Sequence, residues 1–154
     1  DLLAVQYPAL PTGLRGHAEK IEQAVQTALS AAEEQLTTID WTAYDRVFFL
    51  SKSIGTAIAA RYAVQHNIHP RQVYYTPIEQ ALPYLDPTGI AFHGTADPWA
   101  RTELITEGCR RLGVPLHLTE NADHSMETGD VLQDITILHT ILEQTDRWMR
   151  QRCI

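Results

Sequence analysis

Three short segments of this chain hold residue types that can act together on an acyl group. Ser51-Lys52-Ser53-Ile54-Gly55 follows the apolar run Val47-Phe48-Phe49-Leu50 and precedes a helix-forming stretch. A strand-to-helix turn of small residues lifts a serine hydroxyl above a sheet, and the helix that follows aims its first amides at the same place. Ser53 is the candidate nucleophile; Ser51, just before the turn, is the less suitable hydroxyl, and capping of the helix by either serine is the plain alternative. Asp97 lies 44 residues after Ser53, and His124 a further 27 on. A serine hydroxyl attacks a carbonyl only when an imidazole takes its proton, and a carboxylate fixes that imidazole's tautomer and stabilises its cation. Asp97, before Pro98, also reads as a helix N-cap, and His124 also reads as a polar loop residue. Taken together, in the order Ser, Asp, His and each after a strand, the three are better explained as a triad.

The elements that would position them alternate regularly. Leu2–Tyr7 reads as a short strand stopped by Pro8 and Pro11. A helix is expected over 17–36, where Ile21, Ala24, Val25, Ala28, Leu29 and Ala32 form one apolar stripe. Strands are expected at 47–50, 73–75, 90–93 and 116–118, with helices at 56–65, 97–112 and 130–150. On the last helix Val131, Ile135, Leu138, Leu142 and Met149 trace the face expected to close over the sheet. This order predicts an α/β fold, a mostly parallel sheet with helices on both faces, with the site in loops at the strands' carboxyl ends. The stretch 76–89 is too short for a large lid, and Ile78, Ala81, Leu82, Tyr84 and Leu85 are its possible apolar contacts with substrate.

Composition narrows the function classes. The 154 residues carry 12 Lys plus Arg against 19 Asp plus Glu, a formal charge of −7, which argues against nucleic acid or an anionic membrane as a main partner. The basic cluster Arg147, Arg150 and Arg152 suits the negative end of a helix dipole. Two cysteines, Cys109 and Cys153, are too few for a secreted disulfide scaffold, which points to a cytoplasmic setting. Cys109 falls on a predicted amphipathic helix as a buried small hydrophobe. His17, His66, His69, His117 and His139 form no metal-ligand pattern, so no metal site is expected.

Ser51 to Gly55, His93-Gly94-Thr95-Ala96-Asp97-Pro98 and Asn121-Ala122-Asp123-His124-Ser125 resemble the three catalytic segments of the α/β-hydrolase superfamily, most closely its small, cap-poor bacterial and dienelactone-hydrolase-like members. The likeness runs along the whole chain, read as a single domain over 1–154. The resemblance implies a Ser53 nucleophile, an Asp97 acid, a His124 base and an oxyanion donor in the backbone N–H of Ile54. It implies hydrolysis of a small carboxylic ester or thioester through an acyl-enzyme, without metal or cofactor. By their positions, Tyr7, Trp99 and Met126 are candidate flanks of the substrate, with a structural role at the helix start the equal alternative for Trp99; Lys52 is expected to point away from Ser53 in a packing or surface role. The sequence departs from the family at two points. Ser51 stands where Gly is usual, and the first core strand, whose loop supplies a second oxyanion donor, has no counterpart. The expected explanation is that these residues are the C-terminal part of a longer chain. A hydrolase fold used for binding or scaffolding, and an acyltransferase using the same triad, are the competing readings.

Overall fold

The computed structural model describes residues 1–151, so Arg152 and Cys153 lie outside the described residues. Four parallel strands, β1 (Phe48–Lys52), β2 (Arg71–Tyr75), β3 (Ile90–Gly94) and β4 (Leu116–Thr119), form one sheet in the order β1-β2-β3-β4. Their registers bring Lys52 beside Tyr75, Tyr75 beside Phe92 and Gly94 beside Thr119, so the carboxyl ends share one rim of the sheet. Each crossover carries a helix, as parallel pairing requires. These are α2 (Ile54–Gln65) after β1 and α3 (Thr102–Leu112) after β3, while a 3-10 segment, Glu79–Tyr84, follows β2. Helix α1 (Ala18–Leu36) precedes the sheet and α4 (Val131–Arg150) closes the chain.

The strands read as unbroken apolar runs because both faces are covered. One face, through Phe49, Tyr74 and Ala91, packs against α1, α2 and α3 in a core that includes Val25, Leu29, Ile58, Ile105 and Cys109. The other, through Phe48, Val73, Ile90 and Phe92, packs against Ile141 and Trp148 of α4. Cys109 is fully buried, and desolvation raises its thiol pKa to about 11, which makes it an inert core residue. The sheet class and helix placement agree with the sequence reading.

Four local expectations are corrected. Leu2–Tyr7 forms no strand: it runs over the end of α1, where the Gln35 side chain takes the place of a strand partner at both Gln6 N–H and Gln6 C=O. Strand β1 is therefore an edge of the sheet among the described residues, and Leu50 is half exposed on it. Second, Asp97 does not cap α3. The chain makes a further turn through Trp99 and Ala100, and the helix starts at Thr102. Third, on α4 the stripe Val131, Ile135, Leu138 and Leu142 is exposed, and only Met149 of the predicted face packs against the core, beside Ile137, Ile141 and Trp148. The helix carries two apolar lines about one residue step, roughly 100°, apart. Periodicity favours the more populous line, but the sheet takes the one bearing Trp148, whose indole lies over the Arg71 guanidinium at 3.9 Å and edge-on to Phe48. Finally, Ile78, Ala81 and Leu85 are buried in the main core, and Leu82 packs on it with its methyls close over Gly108. The segment after β2 is a core plug here, not an apolar lid.

The two helices beneath the nucleophile turn are fastened by ions. Arg61 of α2, 6% exposed, makes two hydrogen bonds to Glu22 of α1 and lies 4.8 Å from the Tyr84 ring. The hydrogen bond from Arg61 holds the Glu22 carboxyl at about 2 instead of its ordinary 4.5. A depressed folded-state pKa means stability that is present above pH 4.5 and lost as pH falls toward 2. Glu22→Gln is expected to flatten the acid limb of a stability–pH curve across that window, measured by urea unfolding at several pH values.

Candidate active site

The turn after β1 sets the first group. Ser53 has φ 55° and ψ −127°, a conformation few non-glycine residues adopt, held by its N–H donating to Tyr75 C=O (2.9 Å) and by Thr56, whose N–H and hydroxyl both donate to Ser53 C=O. Such backbone strain costs on the order of 1–3 kcal/mol and is kept only where neighbours enforce it. Ile54 is the first residue of α2, so its N–H has no acceptor within the helix. Ser51 is tied down by donation of its hydroxyl to Val73 C=O, which separates the two serines the sequence left in competition.

Beyond β3 and β4 two loops meet. Ala96 N–H donates to Ala122 C=O (2.9 Å), Thr95 N–H to Thr119 C=O, and Asn121 N–H to the Thr95 hydroxyl. The meeting point requires glycine: a Cβ on Gly94 would sit 2.2 Å from Ala122 O. Gly94→Ala is expected to destabilise the fold by about 3 kcal/mol, read as a fall in the urea midpoint, because backbone and not a flexible side chain is in the way. The base loop is closed by Asp123, whose carboxylate accepts from Ser125 N–H and Glu127 N–H.

These loops bring the three predicted residues together. Ser53 Oγ lies 2.7 Å from His124 Nε2, and His124 Nδ1 lies 2.8 Å from Asp97 Oδ2. Asp97 Oδ1 accepts from Trp99 N–H at 2.8 Å, so the carboxylate is fixed at both oxygens. Burial pushes the Asp97 carboxyl pKa up. Hydrogen bonds from His124 and Trp99, with the fields of His124 and His93, outweigh it and hold the group below the ordinary carboxylate value. With Asp97 ionised, the neutral His124 carries its proton on Nδ1 and offers the Nε2 lone pair to Ser53. An arrangement of this kind can remove the serine proton as the oxygen attacks a carbonyl and return it to a leaving group.

Around the triad, Trp99 is 37% exposed with its ring 5.7 Å from that of His124, and Tyr7 is 38% exposed with its hydroxyl beside Gly55. Both stand at the site's rim. Met126 is 8% exposed and fills the core under α4, so its side chain is packing and not a pocket wall. Its φ of 67° marks a left-handed turn two residues after His124. Lys52 ties the base loop to β1: its ammonium donates to His124 C=O at 2.8 Å. Two surface grooves, of about 450 Å³ between β4 and α4 and about 380 Å³ between the N-terminal segment and α1, lie away from the triad. Among the described residues no group of three or more His, Cys, Asp or Glu is placed to hold a metal ion, and no helix is long and apolar enough to cross a membrane.

Sequence missed one further feature. His93, four residues before Asp97, is completely buried behind it, with Nδ1 at 3.7 Å from Asp97 Oδ2. The i, i+4 spacing of His and Asp across a strand end was the available signal.

No family model and no curated protein matches the chain. Solved structures do. A lidless α/β serine hydrolase from Xanthomonas campestris aligns with a TM-score of 0.54 and 14% identity, over 83% of this chain and 58% of its own. An α/β serine hydrolase homologue from Coxiella burnetii aligns at 0.53 and 13% identity, over 87% and 65%. A Thermus thermophilus protein aligns at 0.61 and 12% identity, over 96% and 73%. The chain has the α/β-hydrolase fold. It spans less than two thirds of the length of the first two of these neighbours.

Proposed function

We propose that the chain is a serine hydrolase that cleaves a small carboxylic ester or thioester through an acyl-enzyme. The observation that carries this reading is the continuous line Ser53 Oγ–His124 Nε2 (2.7 Å) and His124 Nδ1–Asp97 Oδ2 (2.8 Å) above a strained strand-to-helix turn. Ser53 Oγ attacks the substrate carbonyl while His124 Nε2 takes its proton. The oxyanion is stabilised by Ile54 N–H and the N-terminal end of α2. Collapse breaks the bond to the alcohol or thiol, which leaves with the proton from His124. Water then attacks the acyl-enzyme, giving its proton to His124, and the acid departs as Ser53 recovers its hydrogen.

Trp99 and Tyr7 are proposed to flank the acyl group. A second backbone donor beside Ile54 N–H would add about 3 kcal/mol of stabilisation to the oxyanion. Ser51, standing where Gly is usual at the nucleophile turn, favours as second reading a fold of this kind kept for binding. Est1E of Butyrivibrio proteoclasticus, solved with ferulic acid bound, has the same fold at a TM-score of 0.53 and 12% identity, and makes esters of hydroxycinnamic acids a rational part of a substrate screen.

Intact mass after fluorophosphonate treatment separates the readings. The expected result is one adduct on the wild type and on Ser51→Ala, and none on Ser53→Ala. No adduct on folded wild-type protein would sink the hydrolase reading in favour of binding.

A further inference from the structure

Among the described residues, His93 is the one buried titratable group beside the triad that the proposed mechanism leaves without work. Its imidazole is fully buried at the end of β3, and its Nδ1 has no hydrogen-bond partner. The nearest charge to that atom is Asp97 Oδ2, 3.7 Å away, the same oxygen that accepts from His124. On its other side Nε2 lies 3.2 Å from the Thr102 hydroxyl, in the first turn of α3.

Two proton arrangements fit these atoms. If the Thr102 hydroxyl donates to Thr95 C=O (3.4 Å), His93 must donate from Nε2 to Thr102, and the bare Nδ1 lone pair then faces a buried carboxylate. If Thr102 donates to Nε2 (3.2 Å), Nδ1 carries the proton and points its N–H at Asp97. In a buried environment the first arrangement sets lone pair against anion and the second sets a donor dipole toward it, so electrostatics selects the second. Desolvation lowers the His93 pKa, the Asp97 charge works against this and His124 adds to it, so the ring remains a neutral dipole. A neutral ring supports the anion without drawing off its negative charge.

We propose that His93 is a positioning residue for catalysis: held by Thr102 as the Nδ1–H tautomer, it supports the Asp97 carboxylate from behind while His124 uses the same oxygen in front. The catalytic carboxylate is thereby clamped between two imidazoles and the Trp99 amide. The Nδ1–H of His93 stabilises Asp97 in its ionised form and holds Oδ2 in line with His124. This role rests on the hydrolase reading, but the tautomer does not.

The first test is the tautomer itself, by long-range ¹H–¹⁵N correlation on ¹⁵N-histidine-labelled wild-type protein, assigned with the His93→Asn variant. A proton on Nδ1 is the expected result, and a proton on Nε2 overturns the proposal whatever the activity. The second test compares rates of fluorophosphonate labelling of Ser53. Asn can place a side-chain N–H near the Nδ1 position, whereas Leu fills the site without a donor. His93→Leu is expected to label about tenfold more slowly, and His93→Asn within about threefold of wild type. Near-UV circular dichroism verifies packing in both. Folded variants that rank the other way, with Leu faster than Asn, would mean that His93 only fills space. An unlabelled wild type would instead remove the hydrolase reading and leave the tautomer result standing.

Discussion

Ser53→Ala is expected to reduce ester hydrolysis by about a million-fold in kcat, with substrate affinity and fold retained. The reason is local. Ser53 Oγ makes one hydrogen bond, to His124, and supports no packing that its loss would undo. Everything else that shapes the turn is backbone: Ser53 N–H to Tyr75, and Thr56 to Ser53 C=O. Ser53→Gly carries a companion result of opposite sign. At φ 55° glycine relieves strain that serine bears, so the inactive variant is expected to be more stable than wild type by about 1 kcal/mol. Urea unfolding of Ser53→Gly against wild type measures it. A less stable glycine variant would show that the turn is not strained.

Asp97→Asn is expected to cost about 10⁴-fold in kcat with KM little changed. The amide keeps the Trp99 hydrogen bond only by turning its NH2 toward His124; turned the other way, it presents C=O to His124 and sets its NH2 against Trp99 N–H. With an N–H there, the imidazole must protonate Nε2 and has no lone pair for Ser53. With a C=O there, the His124 hydrogen bond survives, but Trp99 N–H loses its acceptor and the imidazolium its counter-charge. Steady-state kinetics on a chromogenic ester would show the loss in kcat. A loss confined to KM would assign Asp97 to substrate binding instead. The wild-type carboxyl, held below its ordinary value of 3.8, contributes stability that is present above that pH and lost as pH falls through its lower folded value. Asp97→Asn removes this acid-limb contribution along with the activity.

The sheet and the triad were legible because they rest on short-range patterns. Val47–Leu50 and Ile90–Phe92 are apolar runs of strand length, and Ser53 and Asp97 each follow one within five residues. Elsewhere the deciding partners are distant in sequence. Leu2–Tyr7 has strand composition, yet strand geometry needs a neighbour, and the nearest polar partner for its backbone is the Gln35 side chain. Asp97-Pro98 has the local form of a helix start, but the His124 imidazole claims one carboxylate oxygen and the chain turns once more before α3. The α4 face could not be chosen by periodicity, since two apolar lines compete and only contact with Phe48 and Phe92 selects one. The Lys52 contact was not legible because its partner is a backbone carbonyl 72 residues away, which leaves no trace in side-chain pattern.

The most direct measurement is rapid-quench mass spectrometry after mixing wild-type protein with an activated aryl ester, followed by peptide mapping. The account predicts a transient acyl adduct on the peptide containing Ser53, formed in a burst and decaying as acid is released. Ester turnover without that adduct, or turnover undiminished in Ser53→Ala, would contradict it.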